Sequence, residues 1–547
     1  MVTLETSFSR LQSLIDKNIS LESLEELLFE LGFELDSANG DELKIDITPD
    51  RIDALSTYGL ARIVNSYLGK PHTPLQVQKS NYEVLVDSSV SSVRPKTSCA
   101  VVTQLTITED SLKDIIWLQE KLHDTLGKKR KKAAIGIYPL DKITFPITYC
   151  AKKPSQITFT PLEETKELSA NEIIQNHPTG KEYGHLLENA KMYPLFVDSK
   201  HTILSMPPII NSEQAGRVTT DTNAVFIECS GFDEKTLDFL LTIIVSVFAD
   251  MGGKVQSVKV GKRQTPVLEH RTISLTSKDV TATLGIELRE KEIARLLEKM
   301  LYTVSVSKEN ITVHVPPFRN DIWHKIDVVD DVIRAYGINN VPRVVANVAT
   351  EGKKLPENIF IESLTEQLVG FGLQEIRTLG VTDKINQFEK MCIKSQNHIS
   401  LASTAERSIN MLRCSIIPEL LKCLSQNQNA QHPLNVFEIG DIILPDETFD
   451  VRSQNVPTLA VVFCSDTSTF TSVKQLLTTL FQRYAYDLTF KAYDHPSYIK
   501  GRCAQVFFKS KKIGVIGEFS TTVLQNWGLL YPAAGFEISL QTIFAHK

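Results

Sequence analysis

The sequence predicts a multidomain α+β protein. Two small, winged-helix-like domains of one helix–strand–helix order flank a larger α+β region, and a second α+β unit follows them. Three observations carry this. The chain has 547 residues, more than one hydrophobic core can serve. Segments of helical period and of strand period alternate along it instead of separating into one class. One pattern of helix, strand, proline turn and second helix occurs twice, with its punctuating residues in matching places.

In the first copy, SLESLEELLFELGFEL puts Leu21, Leu24, Leu27, Leu28 and Leu31 on one helical stripe, with Gly32 as a stop. Asn39-Gly40 marks a turn, LKIDITP alternates as a strand, and PDRIDALSTYGLARIVNSYLG reads as a turn into a second helix. In the second copy, EIARLLEKMLYTVSV gives the helix, ENITVHVP the strand, and PPFRNDIWHKIDVVDDVIRAYG the turn and helix. Pro49, Arg51, Asp53 and Gly69 match Pro317, Arg319, Asp321 and Gly337 at constant offset. The region between holds the β-like runs AAIGIYP, QITFTPL, HTILSMPPII and AVFIECSG and one apolar helix, TLDFLLTIIVSVFADMGG. The last unit opens with the helix IFIESLTEQLVGFG and contains the strands LNVFEIGDIIL, IGVIGEFS and GFEISL. The expected domains are therefore 1–75, 80–262, 268–345 and 350–547.

Composition narrows the function. Apolar residues at 42% and charged residues at 23% are ordinary for a globular protein, and no run is long and apolar enough for a membrane span. The N-terminus MVTLETSFSRLQ lacks the apolar core of a secretory signal, so a soluble cytoplasmic protein is expected. The eight cysteines show neither CxxC pairs nor zinc-ligand spacing. A formal charge of −6 argues against a general polyanion binder, because phosphate affinity comes from Lys and Arg displacing counterions. Nucleic-acid contact would have to be local. The one dense basic run, Lys128, Lys129, Arg130, Lys131 and Lys132, is either such a contact or a solvated loop.

A second cluster is acidic. Asp327, Asp330 and Asp331 fall at i, i+3 and i+4 of the second copy's last helix, so they share a face, where like charges cost about 0.2–0.5 kcal/mol per pair. Asp321 precedes that helix and can reach the same spot. Four oxygen donors without Cys or His suit a hard cation such as Mg²⁺. Acid enrichment near a helix start, favoured by the helix dipole, explains the same residues without a metal.

The segments TPDRIDALSTYGLARI, AIGIYPLDKI, FTPL, GKEYGHLL, SMPPIIN, FIECSG, DVVDDVIRAYGINNVP, LRCSIIPELL, NVFEIGDI, HPSYIKGR and IGVIGEFS occur in this order. Together they resemble the β-subunits of phenylalanyl-tRNA synthetases of the archaeal/eukaryotic type, over nearly the whole chain. The resemblance implies a tRNA-editing domain at 80–262 and a catalytically inactive class II synthetase-like module at 350–547. It also implies a magnesium site in the second helix–strand–helix domain on Asp321, Asp327, Asp330 and Asp331, with Asp330 standing where the family more often has glutamate. The implied partners are an α-subunit, in an α2β2 heterotetramer that attaches phenylalanine to its tRNA with ATP, and tRNA-Phe itself. The residues agree that this chain does not activate the amino acid. Arg413 in LRCS has no glutamate two positions on, and Gly370, Gly372 and Arg377 precede Arg413 where a working class II pattern has them after it.

A pocket that merely fits phenylalanine cannot strongly reject tyrosine, which adds one hydroxyl, so a second site that hydrolyses Tyr-tRNA is the expected remedy. The resemblance puts Phe196, Ser205 and Glu228 in it: Glu228 to take the phenol or the ammonium, Ser205 to position water or the ester, Phe196 as a ring wall. SMPPIIN supplies a rigid turn beside an apolar run, and Glu228 sits among Phe226, Ile227 and Cys229. Asn211 is a further candidate donor there. Glu228 can equally be the outward residue of an alternating strand, Ser205 a turn residue, and Asn211 a capping amide. The rival function is a free-standing RNA-binding or trans-editing protein with no synthetase partner, which would have no use for the C-terminal module.

Overall fold

The computed structural model describes residues 2–269, 271–404, 406 and 408–545, and they divide after Val345 into two compact units. No helix among them is long and apolar enough to cross a membrane.

The repeat in the first unit is longer than its sequence pattern. Each copy runs strand, helix, helix, strand, strand, helix: Val2–Ser7, Phe8–Leu14, Leu21–Leu31, Glu34–Asn39, Glu42–Ile47 and Thr57–Tyr67 in the first, and Arg271–Thr276, Ser277–Leu284, Glu290–Lys299, Thr303–Ser307, Asn310–Val315 and Lys325–Tyr336 in the second. In both, the last strand lies between the other two, antiparallel to each. Two expectations are corrected here. The first helix of the second copy ends earlier than EIARLLEKMLYTVSV suggests, because Leu301 (φ +75°) turns left-handed and the residues beyond alternate with period two, whereas helix Leu21–Leu31 stops at Gly32 (φ +83°) as expected. Each copy also opens with a strand whose partner lies some forty residues downstream, a pairing that local periodicity cannot reveal.

The matching arginines hold matching positions. Arg51 Nε donates to Asp53 Oδ1 at 2.9 Å, and Arg319 Nε donates to Asp321 Oδ1 at 2.9 Å. The copies pack on each other in one apolar core. Arg334 Nη1 donates to the Leu31 carbonyl at 3.0 Å, closing the end of helix Leu21–Leu31, and the Arg62 guanidinium lies 4.1 Å from the centre of the Phe318 ring.

Between the copies, nine strands form a continuous sheet: Ile210–Asn211, Ile203–Met206, Tyr193–Val197, Ile147–Lys152, Gln78–Val86, Lys254–Val260, Lys96–Thr103, Val225–Gly231 and Ala133–Pro139, in that spatial order, with Arg263–Thr265 paired alongside Lys254–Val260. Helix Glu234–Asp250 covers one face, burying Leu237, Leu240, Leu241 and Ile244 against Val225, Ile227 and Cys229. The other face carries a second core of Cys99, Val101, Tyr138, Tyr149, Phe196 and Phe226. The sheet curls until its ends meet: Tyr138, on the last strand, has its hydroxyl 3.3 Å from Asn211 Oδ1, on the first.

The second unit is a seven-stranded sheet in the order Gln374–Glu375, Leu434–Pro445, Ser453–Cys464, Ala533–Ser539, Lys511–Phe519, Tyr498–Phe508 and Leu488–Ala492, antiparallel except for its first pair. Strict alternation sends Phe437, Ile439, Leu459 and Val461 to helices Pro356–Gly370 and Phe470–Gln482, and sends Val436, Ala460 and Val462 to helices Ile417–Gln426 and Thr521–Trp527. Arg413 is fully engaged within this unit. It donates to Glu438 at 2.7 Å, Thr378 Oγ1 at 2.8 Å and the Asp441 carbonyl at 2.9 Å.

Candidate functional site

Where the ends of the large sheet meet, they leave a cleft of about 450 Å³, within the usual size of a small-ligand site. Leu112, Ile115, Ile137, Ile209 and Val218 make most of it apolar, while Ser205, Asn211 and Glu228 enter it from strands and the turn SMPPIIN. Glu228 alternates away from the helix-packed face, as a strand residue should, but that face is covered. It is 2% exposed, not an outward solvent residue. Its neighbour across the ladder is Gly136, and the glycine is required there. A Cβ at position 136 would collide with the Tyr138 hydroxyl and stand 2.7 Å from Glu228 Oε1. The missing side chain is the space those two oxygens occupy.

The Tyr138 hydroxyl lies 3.3 Å from Glu228 Oε1 as well as from Asn211 Oδ1. One phenolic proton can serve only one of them at a time. Glu228 Oε2 and Ser205 Oγ are buried and make no hydrogen bond of ordinary geometry, although the Tyr138 hydroxyl stands near Ser205 and Ser230 near Glu228. Two polar atoms so poorly satisfied in an apolar cleft are costly unless a ligand completes them. Burial pushes the Glu228 carboxyl up to about 8, against the opposing charge of Arg94. The Arg94 guanidinium, itself buried, donates to the Ser230 carbonyl at 2.8 Å and to the Arg130 carbonyl at 3.3 Å. Burial lowers its pKa, while Tyr149 and Glu228 oppose the shift.

The basic run forms the rim. Lys128, Lys129 and Arg130 are left-handed in succession, with φ of +48°, +52° and +62°, a conformation disfavoured by about 1–2 kcal/mol per non-glycine residue. The turn divides the five side chains. Arg130 points inward, donating to the Ile209 carbonyl at 3.0 Å and stacking 4.2 Å from the centre of the Tyr183 ring, and so clamps the SMPPIIN wall. Lys128, Lys129, Lys131 and Lys132 are exposed.

Of the residues expected from sequence, Ser205 and Glu228 meet in the cleft, joined by Asn211. Phe196 lies opposite Ser205 in the strand register, but it is fully buried, stacked 4.4 Å from Tyr149, and backs the site without lining it. Sequence reasoning missed Tyr138, Arg94 and His123. Tyr138 was within reach, two residues from a glycine facing Glu228. Arg94 carried no local signal.

The four aspartates do not converge. Arg319 binds Asp321 at 2.6 Å and Asp331 at 2.8 Å, and Tyr302 donates to Asp331 at 2.6 Å. Asp327 caps its helix by accepting from the Trp323 and His324 amides at 2.7 Å each, and Asp330 pairs with Arg334 on the surface at 2.9 Å. Among the described residues no three His, Cys, Asp or Glu side chains form a metal-binding group. The donor chemistry suits Mg²⁺, but this arrangement does not fit it as a four-carboxylate site, because a guanidinium holds two of the four.

Two family descriptions match the chain: phenylalanyl tRNA synthetase beta chain CLM domain over residues 341–540, and tRNA synthetase B5 domain over residues 273–338. The phenylalanine–tRNA ligase beta subunit of Pyrococcus horikoshii is 36% identical over all of both chains. That of Methanocella arvoryzae is 33% identical over 99% of this chain and 100% of its own. A crystal structure of an N-terminal fragment of the phenylalanyl-tRNA synthetase beta-subunit from Pyrococcus horikoshii aligns with a TM-score of 0.59 at 39% identity, covering 61% of this chain and 99% of the fragment.

Proposed function

The chain belongs to the family of phenylalanine–tRNA ligase β-subunits, and from that membership and the cleft we propose that it edits within a cytoplasmic α2β2 ligase. In this reading the α-subunit attaches phenylalanine to tRNA-Phe with ATP, and the cleft of this chain hydrolyses Tyr-tRNA. The observation that carries it is the pair of poorly satisfied buried atoms, Glu228 Oε2 and Ser205 Oγ, in an apolar cleft. A tyrosyl ring fills the apolar part and its hydroxyl completes Glu228. The neutral acid donates to the phenol oxygen, and the carboxylate accepts from the phenol proton, so either state binds the hydroxyl. Phenylalanine leaves the group unpaired, which is how a polar site rejects the smaller analogue. Ser205 orients water or the ester. The proposal retains four domains, 1–75, 80–262, 268–345 and 350–547, with the last as a scaffold.

The division of labour has its own test. Arg413, which would have to grip ATP, is tied to Glu438, Thr378 and Asp441. The purified chain alone is expected to give no phenylalanine-dependent ATP–pyrophosphate exchange, and the α/β complex to give it. Exchange by the single chain would overturn the assignment. For the rim, changing Lys128, Lys129, Lys131 and Lys132 to Ala should reduce the slope of log affinity for tRNA against log salt by about one unit for each phosphate that the parent lysines neutralise. Arg130→Ala should leave that slope nearly unchanged and impair editing, because it loosens the cleft wall. Equal slopes for parent and quadruple variant return the rim to a solvated loop.

Mg²⁺ enters this proposal as a competitor of Arg319 for Asp321 and Asp331. When bound it would supply a compact positive charge between those two carboxylates, and no step of the hydrolysis passes through it.

A further inference from the structure

His123, on helix Glu109–Asp124, lines the same cleft and is 3% exposed. Its Nε2 accepts the Ile135 amide proton at 2.9 Å. An amide N–H can only donate, so Nε2 must keep its lone pair and the neutral ring carries its proton on Nδ1. Nδ1 is buried and makes no hydrogen bond of ordinary length, its polar neighbour being the Glu120 carboxylate. The nearest carboxylate oxygen, Glu120 Oε1, stands 3.6 Å away and is shared with Arg130 Nη2 at 3.4 Å. The ring is thus a locked donor. It has no free lone pair with which to take a proton from water, and protonating it would set a second N–H against that of Ile135. Burial and the charges of Arg130 and Arg94 hold it neutral, with Glu120 opposing.

We propose that His123 Nδ1–H is the donor that receives the acyl carbonyl oxygen of an aminoacyl ester in this cleft, a role that rests on the editing reading. Water oxygen forms a bond to the carbonyl carbon, and the C=O π pair moves onto the oxygen facing Nδ1–H. The tetrahedral carbon then expels the ribose oxygen, which leaves with a proton that came from the water. The products are free amino acid and an intact ribose hydroxyl, and His123 neither gains nor loses a proton. A donor aimed at the oxygen where charge develops is worth about 10²–10³ in rate.

The test is single-turnover hydrolysis of preformed Tyr-tRNA by the assembled α/β complex, with tRNA affinity and Phe-tRNA synthesis measured in parallel. His123→Ala should slow the chemical step about a hundredfold while leaving affinity and synthesis near parent values. His123→Gln, whose amide can accept from Ile135 and still donate, should recover part of the loss. Neither variant should remove an acid limb from the pH–rate profile. Parent-like hydrolysis by His123→Ala overturns the inference, as does a loss confined to tRNA affinity. An acid limb present in the parent and absent in His123→Gln would make the histidine a base and overturns it too. A parent complex that cannot hydrolyse Tyr-tRNA overturns the editing reading together with this one, whereas active parent and unaffected variants overturn this one alone.

Discussion

Arg319→Leu is expected to destabilise the N-terminal unit by about 3–5 kcal/mol, read as a fall in the urea midpoint of the first unfolding transition. Arg319 is 2% exposed and is the shared cation of Asp321 and Asp331. Its removal leaves Asp331 buried with the Tyr302 hydroxyl as its remaining hydrogen-bond partner and the buried Arg51 as the nearby cation, and breaking a buried pair at one partner costs far more than the intact pair contributes. Replacing both members, Arg319→Met with Asp331→Leu, should recover much of the loss, since it removes the stranded charge as well. Asp330→Ala breaks only a surface i,i+4 pair and should cost about 0.5 kcal/mol or less. Mg²⁺ provides the second reading. If the metal competes with Arg319, it should raise the melting temperature of Arg319→Leu more than that of the parent. A metal effect equal in both proteins would move any site to the half-buried Asp327 and the exposed Asp330.

The same cluster illustrates what the sequence could and could not disclose. The repeat was legible because its markers are local: a proline turn, an Arg-x-Asp pair and a left-handed glycine have the same backbone requirements wherever they occur. The aspartate face was legible only as a helical phase. Adjacent helix positions differ by 100°, so Asp330 points to solvent while Asp331 turns into the core, and nothing within the helix says that Arg319 waits there. Glu228 could be found because a charged residue inside FIECSG needs a reason. Phe196 was misplaced because strand parity fixes a face and not depth: it faces the same side as Ser205 but lies behind it, on Tyr149. The rim was legible as a basic run but not in its geometry. Three consecutive left-handed residues, two lysines and an arginine, run against every local preference. Backbone hydrogen bonds within the turn, such as Lys132 N–H to the Gly127 carbonyl at 2.8 Å, and the clamp of Arg94 on the Arg130 carbonyl and of Arg130 on the Ile209 carbonyl together hold it.

Glu228→Ala in the assembled complex is expected to preserve Phe-tRNA synthesis and to slow hydrolysis of preformed Tyr-tRNA about ten- to a hundredfold. The alanine removes the group that a phenol completes. Leaving the buried phenol hydroxyl without its partner costs about 1–3 kcal/mol, and each 1.4 kcal/mol is a factor of ten. Ser205→Ala should act in the same direction but less strongly, because the serine orients and does not select. Glu228→Gln distinguishes hydrogen bonding from charge. Its amide also donates and accepts, so selectivity for tyrosine should stay within several-fold of the parent. The stability of the same variant tests the carboxyl's environment. The folded chain raises Glu228 from 4.5 to about 8, so between those values the native state holds a proton that the unfolded chain has lost. Parent stability must then fall as pH rises through that window and level off above it. Glu228→Gln should lack this slope. Hydrolysis rates equal to the parent's in Glu228→Ala would remove the residue from the site, and loss of both hydrolysis and Phe-tRNA synthesis would mean that the strand itself had failed. A parent-like pH slope in Glu228→Gln would assign the missing proton to another buried acid, for which Glu537, also raised by burial in the second unit, is the next candidate.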